Sequence, residues 1–197
     1  MGMHLSRINT RPLRFASAVF AMEMTTVDRW RELAIWVGMG GAAMALLLPA
    51  AAKSDLQTIG DFQAWNAATF TDNSVRTCYA VSTPAESLPK NVRRGKIYVM
   101  VSRRSSEQTD ELILVSGYPY KDGSPAQVSI DTSKFTLTTG NEFAWVPMGE
   151  VQQLVNAMIG GQEMTVEGIS ARGTETTDTY SLRGFTAAYR AMVKACK

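Results

Sequence analysis

Ser87-Leu88-Pro89-Lys90 sets a hydroxyl three residues ahead of an amine, the spacing at which a helix brings a serine nucleophile beside a lysine base. That chemistry needs an unbroken helix, and Pro89 lies inside the tetrad. The accompanying S-D-N and K-T-G tripeptides do not follow, so chance accounts for the match. A second constellation is cationic: Arg93-Arg94-x-Lys96 and Arg103-Arg104 flank the apolar run 97–101 at its two ends. Such groups could hold acidic lipid headgroups, sulfated glycans or nucleic acid. Basic residues at strand ends also keep sheet edges soluble. Arg93, Arg94, Lys96, Arg103 and Arg104 are the candidate anion-binding residues.

Other residue types are conspicuous by scarcity. The only histidine is His4, so the chain after it lacks the side chain that most often performs proton transfer near neutrality or ligates metal. Asp110-Glu111 and Asp178 offer carboxylates without a clear partner, and solvated or capping roles suit them. Gly38-x-Gly40-Gly41 follows no strand and opens no phosphate-binding helix, which removes a nucleotide loop. Arg172-Gly173-Thr174 reads as a turn. No catalytic residue, metal site or cofactor is expected.

The first part of the chain reads as a leader. Arg29 and Arg31 precede an apolar stretch, 33–48, and Ala50-Ala51-Ala52 supplies the small-residue site for cleavage before Lys53. Sixteen residues interrupted by three glycines fall short of the ~20 needed to span a bilayer. Met24 or Met22 makes a more ordinary start for such a leader than Met1. We therefore expect residues 1–52 to be an N-terminal extension plus signal peptide, and residues 53–197 to be one exported domain. Those 145 residues suffice for one core and not for two. They carry 15 Lys plus Arg against 15 Asp plus Glu, so no global basic excess encodes nucleic-acid binding. Cys78 and Cys196 are the only cysteines, and an even number in an exported chain reads as a disulfide, with two separately buried thiols as the alternative.

The elements that would position these residues are mostly strands. Ile97, Val99 and Val101 alternate with Tyr98 and Met100, the pattern of an interior strand covered on both faces. Residues 111–116 and 126–130 read as strands, joined through Tyr118-Pro119-Tyr120 and an Asp122-Gly123 turn. Phe135 and Leu137 begin a hairpin that turns at Thr139-Gly140-Asn141 into 142–145. Strands are also read at 62–70, 75–82, 163–169 and 176–182, with Gly168 marking a bulge, while 83–95 reads as a proline-containing loop. Val151, Leu154, Val155, Met158 and Ile159 form a helical stripe stopped by Gly160-Gly161; Phe185, Ala188, Tyr189, Met192 and Cys196 form another. Trp65 and Trp145 sit in alternating contexts that favour core packing over sugar stacking. So many short strands bury a core best as a mainly β sandwich, here with two short amphipathic helices.

The chain also resembles a known family. Ser170-Ala171-Arg172-Gly173-Thr174, the run from Thr177 through Tyr180, Gly184-Phe185 and Ala188, and the closing Ala195-Cys196 resemble the C-terminal hallmark of the invasion-associated locus B family of exported Gram-negative proteins. Trp65, Cys78, the block Gly117-Tyr118-Pro119-Tyr120-Lys121-Asp122-Gly123, Ala144-Trp145, Ala157-Met158, Gly161 and Met164-Thr165-Val166 occur in that family's order. The resemblance implies an immunoglobulin-like β-sandwich in the periplasm, at the outer surface or secreted. It also implies an association, in some pathogenic members, with invasion of host cells, and it carries over no catalytic residues. The expected protein is non-enzymatic and meets an envelope or host-surface partner; a periplasmic small-ligand carrier and a histidine-independent hydrolase are the alternatives.

Overall fold

The computed structural model describes residues 55–197 except Asn73, Gln108 and Met148, and these form one compact unit. The expected leader, the cut expected after Ala52 and His4 lie outside the described residues. In chain order the elements are β1 (Asp55–Phe62), β2 (Trp65–Asp72), β3 (Val75–Ser82), β4 (Glu86–Leu88), β5 (Tyr98–Arg104), β6 (Asp110–Val115), β7 (Ala126–Ile130), β8 (Ser133–Gly140) and β9 (Phe143–Trp145). They continue with α1 (Val151–Gly160), β10 (Glu163–Ile169), β11 (Glu175–Ser181) and α2 (Phe185–Ala195).

The eleven strands join in the order β1-β2-β3-β5-β6-β9-β8-β7-β10-β11-β4, and every pairing is antiparallel. β8 belongs to both layers of the sandwich. Its residues 133–137 pair with β7 and its residues 138–140 pair with β9. The expected mainly β sandwich is thus present, but its layers share a strand, whereas the two sheets of an immunoglobulin domain are separate.

Side-chain alternation decides which residues meet between the layers. Ala67, Ala80, Val101 and Leu112 form one inward row across β2, β3, β5 and β6, and all are buried. From the other layer Val128, Leu137, Met164 and Tyr180 fill the same core. Trp65 is fully buried, its indole N–H donates to the Ser181 carbonyl at 3.0 Å, and its ring lies 4.7 Å from that of Phe185 on α2. Burying each such large apolar side chain contributes about 1.5–3 kcal/mol. Leu154, Val155 and Met158 of α1 enter the same core.

Three expectations need correction. β5 was expected to be covered on both faces; Val99 and Val101 are buried, but Tyr98 and Met100 are only half-buried on the outward face. Gly168 makes no bulge, since β10 and β11 keep register through it. A Cβ at that position would stand 2.7 Å from the Tyr120 ring and 2.8 Å from the Tyr118 hydroxyl, so the glycine admits two tyrosines. Trp145 is not core: it is 40 % exposed and stacks on Phe143 at 5.9 Å.

Candidate functional site

The five candidate cations occupy three different environments. Arg94 lies on the irregular segment after β4, where the Gly95 N–H donates to the Gly117 carbonyl at 2.7 Å. Gly117 has φ +71°, and a Cβ there would stand 2.8 Å from the Gly95 carbonyl oxygen, so only glycine permits this approach of two backbones. The approach carries the Arg94 side chain inward. Its Nη1 and Nη2 donate to the two carboxylate oxygens of Asp178 at 2.7 and 2.6 Å. Its Nε and Nη2 also donate to the Ser116 carbonyl at 3.0 and 2.7 Å. The Tyr118 ring lies under the guanidinium at 4.9 Å, and its hydroxyl meets that of Thr176 at 2.5 Å. Both members of the ion pair are almost wholly desolvated, with side chains 6 % and 5 % exposed.

Arg103 belongs to a second internal group. Its Nε donates to Asp110 at 2.7 Å, and the other Asp110 oxygen accepts the Tyr189 hydroxyl at 2.6 Å. Asp110 and Arg103 share an inward row with Cys78, whose sulfur is joined to Cys196 across a Cα separation of 5.8 Å. The expected disulfide therefore sits beside the Arg103–Asp110–Tyr189 group, and together they clamp α2 to β3, β5 and β6. The hydrogen bond that Arg103 donates to Asp110 holds its guanidinium even more firmly protonated than usual.

Arg104 is a surface residue that pairs with Glu107 at 3.1 Å and with Glu111 at 3.5 Å. Arg93 and Lys96 are exposed. The seven residues of β5 put about 20 Å between this pair and Arg103-Arg104, so the five cations do not make one surface. The sequence showed the charges but not their partners, because Asp178 is 84 residues from Arg94 and the two meet only through the Gly95–Gly117 approach and the placing of β11 in the fold.

The remaining constellations resolve the same way. Ser87 lies on β4 in register with Asp178, while the Lys90 amine meets Glu86 at 3.1 Å rather than Ser87. Asp178 and Asp110 each accept hydrogen bonds on both oxygens, Asp178 from Arg94 and Asp110 from Arg103 and Tyr189. Among the described residues no group of His, Cys, Asp or Glu is placed to hold a metal ion. The connecting loop Tyr118-Pro119-Tyr120 turns its tyrosines inward; Tyr120 is 5 % exposed. No helix among the described residues is long and apolar enough to cross a membrane.

All six tyrosines sit in settings that resist ionisation. Burial is the main cause at each, and it pushes Tyr189 up to about 12 with help from the Asp110 carboxylate that accepts its hydrogen bond. Burial outweighs the opposing Thr176 hydrogen bond and Arg94 charge at Tyr118. In the unfolded chain these groups ionise near their ordinary pKa of about 10. Raised folded values mean that their stabilisation is intact below that pH and is lost as pH climbs from about 10 towards 12. Phenolate absorbance is therefore expected to rise together with loss of tertiary fluorescence. A normal tyrosine titration in the folded protein would contradict these environments.

Fold and site together define a disulfide-clamped β-sandwich domain whose buried charges brace the structure. The family model described as invasion associated locus B (IalB) protein matches residues 65–193, and the chain belongs to that family. The crystal structure of invasion associated protein b from Bartonella henselae shares the fold, with a TM-score of 0.52 and 12 % identity over 70 % of this chain and 96 % of that one. No curated protein sequence matches this chain.

Proposed function

We propose that this protein is a non-enzymatic binding protein of the cell envelope, and that Arg93 and Lys96 engage an anionic partner on an envelope or host surface. The observation that carries this reading is the inward anchoring of Arg94: its hold on Asp178 and Ser116 fixes a segment whose adjacent cations are exposed. Family membership, the disulfide and the internal commitment of the buried carboxylates support an exported domain without catalysis.

The test is retention on a sulfated-polysaccharide matrix and on anionic phospholipid vesicles. Binding should weaken as salt rises, because exposed attractions are screened beyond about 8–10 Å at physiological ionic strength. Arg93→Ala/Lys96→Ala should reduce low-salt affinity by roughly 3- to 10-fold, the scale of two exposed charge contacts. Arg104→Ala should leave it unchanged. Salt-insensitive binding, or a hydrolytic activity that tracks with one serine or carboxylate, would defeat the proposal.

A further inference from the structure

The outer side of α2 carries a line of cations that no ion pair uses. Arg190, Lys194 and Lys197 recur at i, i+4 and i+7, so they lie along one stripe of the helix, and all three are exposed. The Cys196 N–H still donates to the Met192 carbonyl at 3.2 Å, which carries the helical turn up to Lys197. At about 1.5 Å per residue the row is about 10 Å long. Arg76, also exposed, adds a fourth cation at its end, where its Nη1 donates to the Ala195 carbonyl at 3.4 Å. The ion pairs of the described residues engage Lys90, Arg94, Arg103 and Arg104, and leave Arg76, Arg190, Lys194 and Lys197 without a carboxylate partner among those residues.

α1 lies alongside this row. The Thr186 hydroxyl donates to the Ile159 carbonyl at 3.2 Å, and Gln152 meets the Tyr189 hydroxyl. Gln152 and Asn156 are themselves exposed, the amide of the first donating to that of the second at 3.0 Å. Neither helix contains an aspartate or a glutamate. Amides both donate and accept, and unneutralised cations hold anions, so the two helices together suit a ligand that carries hydroxyls and negative charges at once.

We propose that this two-helix surface binds an acidic polysaccharide, a sugar chain bearing sulfate, phosphate or carboxylate groups. The row of cations meets successive charges along the chain, while Gln152 and Asn156 meet its hydroxyls. An anionic bilayer fits less well. A helix held at a bilayer surface buries its apolar face among the headgroups, whereas α2 commits Phe185, Ala188 and Met192 to the core and exposes no large apolar side chain. The helix dipole does not explain the row either: its negative end acts within the last turn, which accounts for Lys194 and not for Arg190. The surface is separate from Arg93 and Lys96. Cys196 ties the end of α2 to Cys78, in register with Arg103 at the far end of β5, and those two cations precede the first residue of that strand.

Titration of the protein purified from the envelope with dextran sulfate and with uncharged dextran tests this. Binding to the sulfated chain alone, weakening as salt screens the exposed charges, is expected. At low salt Arg190→Glu/Lys194→Glu should lower the affinity roughly tenfold or more, and Arg190→Ala/Lys194→Ala roughly 3- to 10-fold. Both side chains are exposed, so near-native melting should show that the variants still fold. Lys121→Glu/Arg172→Glu makes the same change in net charge on exposed residues at the other end of β10 and β11, and should leave the affinity unchanged. Equal losses from the two reversed pairs overturn the proposal, as does binding to phosphatidylglycerol vesicles without binding to dextran sulfate. Arg93→Ala/Lys96→Ala tells this surface from the one proposed above: a loss confined to that pair overturns the α2 surface alone, and a loss confined to the α2 pairs overturns only the earlier reading.

Discussion

Replacing Asp178 with alanine is expected to destabilise the protein by about 3–5 kcal/mol, the range for stripping one partner from a buried ion pair. The cost arises from Arg94 rather than from the lost contact alone. Its guanidinium is 6 % exposed and meets no other carboxylate among the described residues, so the substitution leaves a buried charge without its partner. The Ser116 carbonyl and the Tyr118 ring still face it after the substitution, but neither carries a neutralising charge. Asp178→Asn should be almost as damaging, since it keeps the shape and removes the charge.

The double variant Arg94→Met/Asp178→Leu separates pairing from packing. Replacing both charges with apolar groups of similar size often restores stability, but here the Ser116 carbonyl would lose both of its Arg94 donors. An unsatisfied buried acceptor costs about 1–3 kcal/mol, so recovery should be partial. Urea unfolding of the three variants measures this directly. A loss under about 1 kcal/mol for Asp178→Ala would mean that water reaches the pair, contrary to the desolvated geometry.

Much of the architecture was legible because inward and outward residues alternate strictly. β3, β7 and β10 begin and end where the alternation does, and both helices follow their apolar stripes. β1 was missed apart from its last residue: its register shifts between Thr58 and Gly60, which interrupts period two where Ile59 turns to the core. β4 is three residues beside prolines, too short for any periodicity, and exists because β11 offers it a partner. Trp145 misled for a related reason. Alternation says that a residue belongs to a face, and says nothing about whether that face is covered.

The charged groups were less legible than the strands. Arg93, Arg94 and Lys96 are equivalent as a string of cations, yet the Gly95–Gly117 approach turns Arg94 inward while its neighbours are exposed. Asp178 gave one local hint, a carboxylate in an alternating strand at a position flanked by the inward Thr176 and Tyr180. A charge at an inward position requires a partner, and its identity depends on contacts remote in sequence.

Removing the Cys78–Cys196 bond is expected to lower stability by about 4–5 kcal/mol in the chain-entropy model, because its ends are separated by 118 residues. The bond restricts the unfolded chain across most of the described domain. In the folded state α2 has other holds, the Phe185–Trp65 ring contact and the Tyr189–Asp110 hydrogen bond. The native arrangement should therefore persist without the bond, with the loss appearing as a more expanded unfolded state and a steeper dependence on denaturant. Cys78→Ala/Cys196→Ala isolates this effect. The serine pair should lose more, since both positions are almost fully buried and two hydroxyls there need partners. Reduced wild-type protein should resemble the alanine pair. Amide exchange should quicken first in the last turn of α2, where the tether acts. Free thiols at both positions in alkylated, non-reduced envelope protein would contradict the bond. Equal stability of the oxidised and reduced forms would show that the cross-link does not contribute through the unfolded chain.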